Sequence, residues 1–469
     1  MWSAKLLCAA GETIGSMRRR SILLAAGVAA VSQAWKGAAQ NSLGTLTWVE
    51  AGSLWIRELP DGRAVKIVSA DGLHSPRFSS SGRWLAYRNR HDKLSVVRSD
   101  GESGASLEGE DTVWFPRDDR LAVTRDGDVS VFAPEDGWES PGMVLKGAGL
   151  PVFAPDGERF VFVRNVGRVA EKDGAPSAGQ LCLASVSAPN RKPEVLVSNG
   201  GNLRPYGWTH DSKSILYWCA DDWSASIWND GVGLYSVPVE GGPARKLGVS
   251  TLVHDDIVDL APKSAGNQLA VTSGDGRATW AGKRIAVVDL KTGFSRDVTM
   301  EDIAAICPTW SPDGRRIAYV AAPDAEVAYR KSMAGANIRI MRGDGAVETK
   351  AVTRDMKVAP GGGEAAHVFL HQRKIWLLDA TGTGQPRQLT SDPRYRDEEP
   401  LWSADGGHIL FGRMDYDGHA SLWLMETGGG APDEVCRLQI SDALGNENSW
   451  FGFYGYTDWR DAFDWRRHS

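Results

Sequence analysis

Cysteine is scarce in this chain, net charge is low for its length, and no recognisable catalytic signature interrupts it. Five cysteines occur among 469 residues. Setting Cys8 aside, Cys182, Cys219, Cys307 and Cys436 remain, too widely spaced for a metal knuckle. They read as small buried apolar residues, three on strands and Cys307 just ahead of an aromatic position. A net charge of −6 offers no basic surface and argues against nucleic acid. There is no Gly-x-Ser-x-Gly elbow, phosphate loop or dinucleotide fingerprint. The apolar run Ile22 to Val31 is too short to span a membrane. What the chain does have is 53 glycines, suited to tight turns, and 19 tryptophans, suited to flat strand surfaces.

Residues 1–39 read as an N-terminal extension plus an export signal. Arg18, Arg19 and Arg20 form a basic cluster, the apolar run follows, and Gly37, Ala38 and Ala39 supply small residues after it. Met17 makes a more typical first residue than Met1. Arg19-Arg20-Ser-Ile-Leu-Leu24 resembles a twin-arginine signal, and the Sec route stays open because Ile22 and Leu24 stand where Phe and Lys are usual. Leu7 before Cys8 argues against a lipoprotein anchor. The expected location is periplasmic or secreted, with no transmembrane anchor in the mature chain.

Residues 40–469 read as one repeat domain. Trp310-Ser-Pro-Asp-Gly-Arg-Arg-Ile-Ala-Tyr319 recurs in plan at Phe78, Phe153, Trp208 and Trp402, with degenerate copies at Phe115 and Leu260. Each copy is an aromatic anchor, a small polar turn and a short alternating strand. The intervals are 37, 38, 55, 52, 50 and 92 residues. The long last interval suggests a decayed unit, with strands at Ala366 to Leu370 and Lys374 to Leu378. In the Trp310 unit, strands c and d are expected at 337–341 and 349–353. Four short strands per unit predict an all-β protein, a β-propeller of four-stranded blades. Strict counting gives nine units, above the roughly four to eight usual for propellers, so eight is favoured within a range of seven to nine. Strands at Leu46 to Val68, with Trp450 to Tyr456 as the returning partner, are expected to close the ring and remove exposed sheet edges.

The Trp310-Ser-Pro-Asp-Gly314 copies and tails such as Pro386-Arg-Gln-Leu-Thr390 resemble the TolB-type propeller family, related to WD-repeat propellers. The resemblance covers roughly residues 45–460. It implies an extracytoplasmic fold and specifies function poorly. The separate α/β domain that precedes the TolB propeller has no counterpart here, so a role in the Tol system is not implied.

Counting four residues back from each anchor picks out the entry to the innermost strand: His74, Asp111, Arg204, Asp256 and Glu398. These are expected to line a polar, acid-biased funnel. The long b–c loops carry Trp223, Trp228, Trp280 and Tyr329, residues suited to stacking on a protein loop or a sugar. The same tryptophans also suit a role capping the blades. Asp415-Tyr-Asp-Gly418 reads as a hairpin turn rather than a calcium loop. His367 and His371 sit on an expected strand, too far apart to share a metal. No catalytic residue or metal ligand is assigned and no cofactor is predicted, a divalent cation in the channel being the one ion the funnel would suit. The leading expectation is a monomeric, non-catalytic propeller that binds a protein or carbohydrate of the cell envelope. The alternative is a propeller enzyme on polysaccharide, implied by lyases of similar repeats that use histidines and a divalent metal.

Overall fold

The computed structural model describes residues 42–149, 151–168, 177–199, 202–220, 231–334, 338–341, 347–350, 368–440 and 455–468. These build eight four-stranded antiparallel sheets arranged as a ring, a β-propeller. In each blade, strand a lines the central channel and strand d lies outermost. Blade 2 shows the plan with strands His74–Phe78, Trp84–Arg88, Leu94–Arg98 and Gly104–Leu107. Blade 6 uses Val258–Leu260, Gln268–Ser273, Arg284–Asp289 and Ser295–Asp297, and blade 8 uses Tyr395–Trp402, His408–Asp415, Ala420–Glu426 and Asp433–Leu438.

The recurrent turn has a common chemistry. After Trp310, the Ser311 hydroxyl donates to Asp313 at 2.6 Å and accepts the Arg316 N–H at 2.9 Å. Thr209 and Asp211 repeat it after Trp208, and Ser403 and Asp405 after Trp402. Gly314 sits at φ +71°, and a Cβ there would come within 2.4 Å of Ala265 in the neighbouring blade, so glycine is required twice over. The anchors are blade filler. Trp208 and Trp402 also clasp the preceding blade, their Nε1 donating to Val152 O at 2.9 Å and Thr309 O at 3.0 Å. Packing between blades supplies the core, which single blades cannot bury alone.

Eight blades settle the long interval. Blade 7 takes Ile303–Trp310 and Arg316–Pro323 as strands a and b, then Lys374–Asp379 and Arg387–Gln388 as c and d. The strands expected at 337–341 and 349–353 instead form a separate hairpin, Ile338–Met341 with Val347–Lys350. It lies within an insertion that begins with helix α1, Ala325–Met333. The favoured count of eight blades holds, because the second strand of the decayed unit, Lys374–Asp379, belongs to blade 7. Residues 368–370 form a helical turn rather than a strand. His371 after it stacks on Tyr416 at 3.8 Å, and His367 lies outside the described residues.

Blade 1 holds Gly44–Glu50, Ser53–Leu59 and Val65–Ser69, and its strand a is Phe463–Arg466. Closure by strands from both ends occurs as expected, but with a different partner: Trp48 pairs with Phe463 and Thr45 with Arg466. Residues 450–454 of the expected closing strand lie outside the described residues, and Tyr456 serves another purpose, described below. Among the described residues no helix is long and apolar enough to cross a membrane.

Candidate functional site

Three inner strands carry the same irregularity. Ser75, Cys307 and Glu399 adopt left-handed backbone at φ +52°, +52° and +50°, each followed by proline and lying three residues before the anchor. The ladder shifts register at each of these places. A bulge of this kind re-aims one side chain, here into the channel. Non-glycine residues hold left-handed backbone at a cost of roughly 1–2 kcal/mol each, so surrounding contacts must fix it.

Those contacts come largely from one segment. The connection from strand d of blade 8 to strand a of blade 1 runs from residue 439 to 462, and its residues 455–462 cross the channel mouth as a strap. Arg373 donates to Gly455 O at 2.5 Å, and Arg396 donates to the Thr457 hydroxyl at 2.9 Å. Tyr456 stacks on His254 with ring centres 3.8 Å apart and donates its hydroxyl to Asp256 at 2.7 Å. Trp459 donates to Glu398 at 2.7 Å, and Arg460 to Glu399 at 2.5 Å. Asp461 accepts from Ser75 and lies 3.4 Å from His74. Gly412 makes room, since a Cβ there would meet the Trp459 ring at 2.4 Å.

Thus His74, Asp256 and Glu398 do converge on the channel mouth, and their partners are residues of the same chain. Asp111 and Arg204 are exposed on strand a of blades 3 and 5. Trp223 and Trp228 lie outside the described residues. Trp280 is 1% exposed and packs with Ala325, Ala328, Phe369 and Leu370, so it caps the blade 6–7 region instead of presenting a stacking surface. Tyr329 on α1 packs against the same cluster.

Below the strap a cavity of about 430 Å³ opens towards the anchor side. Tyr206, His210, Trp310 and four prolines shape its wall. Asp256, Asp259, Cys307, Glu399, Arg460 and Arg467 bring charge and polarity to it. The Asp256 and Glu399 carboxyl groups bring oxygens within 4.8 Å of each other. Two carboxyl groups so close in a buried site favour a proton on one of them. Burial raises both, and Glu399 is pushed up to about 7 despite the Arg460 guanidinium. Burial likewise raises Asp259 to about 6, opposed by the Trp310 N–H it accepts at 2.7 Å. The Cys307 thiol, 3.5 Å from Asp256, is pushed well up by burial and by the nearby carboxylates. Cys182, Cys219, Cys307 and Cys436 are all free and buried.

Asp256, Cys307 and Glu399 place potential ligand atoms within 4.8 Å of one another. Arg460 and Tyr456 already satisfy the two carboxyl groups, and a cation would have to displace both. The donor set therefore suits a proton better than a metal. Asp415, Asp417 and His419 also cluster, but Asp415 accepts the Asp417 and His419 N–H groups at 2.9 Å each, which makes the hairpin turn read from sequence.

Glu399 gives a pH prediction. Its folded value of about 7 lies above its ordinary 4.5, so the folded state holds the proton more tightly. That contribution is complete below about 4.5 and is lost as pH rises through about 7. Relative to Glu399→Gln, the wild type should lose about 3 kcal/mol of unfolding free energy across this window, measured by urea titration at several pH values.

Sequence reasoning placed Glu399 beside the funnel positions and missed Cys307, Asp259, Tyr456, Arg460 and Arg467 as channel residues. A signal for Cys307 was present: proline two before the anchor marks the bulge, and the residue ahead of it faces the channel.

This molecule is a β-propeller with a polar cavity lined by its inner strands and by Arg460 of the strap. No protein-family model and no curated protein matches its sequence. Solved structures are similar at low identity. Dihydro-heme d1 dehydrogenase NirN, in complex with DHE, is 12% identical with a TM-score of 0.49, over 84% of this chain and 74% of that one. Oligogalacturonate lyase from Vibrio parahaemolyticus is 12% identical with a TM-score of 0.40, over 80% and 83%. TolB from Acinetobacter baumannii is 15% identical with a TM-score of 0.32, over 82% and 62%. Likeness at this level concerns the fold alone.

Proposed function

We propose that this chain is an exported binding propeller whose ligand, a sugar unit of an envelope glycan, enters the channel cavity from the anchor side. The observation that carries this reading is the cavity of about 430 Å³, in which Tyr206 stands beside Asp259, Glu399, Arg460 and Arg467. Its size falls within the roughly 300–1,000 Å³ of small-molecule sites. An aromatic face with convergent charged groups suits a hydroxylated ring. Export rests on the basic cluster at Arg18 to Arg20 and the apolar run behind it.

The test is a thermal-shift and calorimetric screen over neutral and acidic oligosaccharides, repeated with Asp259→Asn and Arg467→Ala. Each substitution should weaken a hit about tenfold, equivalent to ~1.4 kcal/mol. Equal binding by the wild type and both variants would move the ligand out of the channel.

A second reading, an enzyme acting on polysaccharide, draws on Glu399, whose pushed-up carboxyl borders the cavity and falls in the range useful for general acid–base work. Under it, wild-type protein should release sugars from acidic polysaccharide and Glu399→Gln should slow release about 100-fold or more. Absence of product from the wild type would leave the binding reading alone.

A further inference from the structure

Titratable side chains grip the strap at two places. At the blade 2 end, the ring of His74 has acceptors on both nitrogens. Nδ1 lies 3.4 Å from Asp461 and 3.1 Å from the Ser75 hydroxyl. Nε2 lies 3.2 Å from Asp92 and 3.2 Å from Asn89 O. A neutral imidazole has one N–H and leaves one of these faces unsatisfied; the imidazolium satisfies both. At the channel centre, the Asp256 and Glu399 carboxyl groups lie within 4.8 Å of each other, where two negative charges repel, and each also grips the strap, through Tyr456 and Arg460.

We propose that residues 455–461 form a proton-held latch, seated while His74 is an imidazolium and one of Asp256 and Glu399 holds a proton, and opening more often as pH rises past neutrality. When open, it joins the channel cavity to the long-loop face.

The surrounding charges set the direction. His74 faces Asp92 and Asp461, and its titration is moved up chiefly by the Asp461 hydrogen bond. Asp256 and Glu399 face Arg460, Tyr456 and Cys307, with Asp458 above and the Glu398–Arg373 pair alongside. Asp458 on the strap is itself raised, by burial and by Asp461. Deprotonation thus adds negative charge at both ends of the strap, and Arg460 is the cation bonded to the central carboxylates. Arg77 also holds the strap, donating to Arg460 O at 2.7 Å. Each proton held one pKa unit more tightly in the seated state changes the latch equilibrium about tenfold.

Hydrogen–deuterium exchange on the full chain, corrected for intrinsic exchange rates, reads the latch directly. Protection of 455–461 should fall about tenfold or more between pH 6 and pH 8, while strands Arg316–Pro323 and His408–Asp415 keep theirs. Glu399→Gln, which removes the titrating pair at the channel centre, should make that dependence shallower, leaving the His74 part. His74→Gln should show at pH 6 a protection between those of the wild type at pH 6 and pH 8. The latch is overturned if strap protection is the same at both pH values, if the blade strands lose as much, or if Glu399→Gln keeps the wild-type profile. Should His74→Gln fail to fold by circular dichroism, the Glu399→Gln comparison decides alone. None of these outcomes depends on what the cavity binds.

Discussion

Glu398→Ala should destabilise the protein by about 3–5 kcal/mol, read from urea unfolding at neutral pH. Glu398 is 4% exposed and carries three duties. It accepts from Arg373 at 2.7 Å and from the Trp459 indole at 2.7 Å, and it lies 3.8 Å from Arg396. Arg396 is wholly buried, and burial pushes its guanidinium down to about 10. Burial pushes the Glu398 carboxyl up, yet Arg396 and Arg373 together outweigh this and hold it below the usual range. Removing the carboxylate leaves two guanidinium groups facing each other without it, which is the costly case for buried charge. Glu398→Gln keeps an acceptor for Trp459 and should fall between wild type and alanine. A loss under about 1 kcal/mol for alanine would mean that water reaches the arginines, as at exposed pairs.

The second large effect is at an anchor. Trp402→Ala should cost about 3–5 kcal/mol, because a fully buried indole leaves a void between blades 7 and 8. Trp402→Phe tests the parts separately. It fills much of the space and loses the hydrogen bond to Thr309 O, so about 1–2 kcal/mol is expected. If phenylalanine cost as much as alanine, the clasp between blades would outweigh the packing.

The anchors were legible because their signal is local. An aromatic, a hydroxyl-and-carboxylate turn, a required glycine and an alternating strand all lie within ten residues, and these rules gave blade type and ring closure. The misread stretch, 337–379, fails for the opposite reason. A hairpin inserted within a blade and a hairpin belonging to one have the same alternation. Only the pairing of Arg316–Pro323 with Lys374–Asp379, across about fifty residues, separates them. The funnel shows the same limit. Counting back from the anchors found His74, Asp256 and Glu398, since register is local. That the strap would occupy them depended on residues up to 387 positions away, such as Asp461 opposite His74. Cys307 was hidden by a bulge that shifts the register by one, though the proline after it was in view.

Closure by Phe463–Arg466 also has a meaning in time. Trp48 is made early and its partner Phe463 more than 400 residues later. At roughly 5–20 residues per second, the first blade waits about 20–80 s as three strands with a bare inner edge. That edge is a template for wrong pairing throughout the delay. Every other blade can complete itself as it is synthesised, whereas the ring is finished only by its last-made strand. A premature stop a few codons before residue 463 would therefore cost the whole circle, and the newborn chain needs an escort for its opening strands until the final ones arrive.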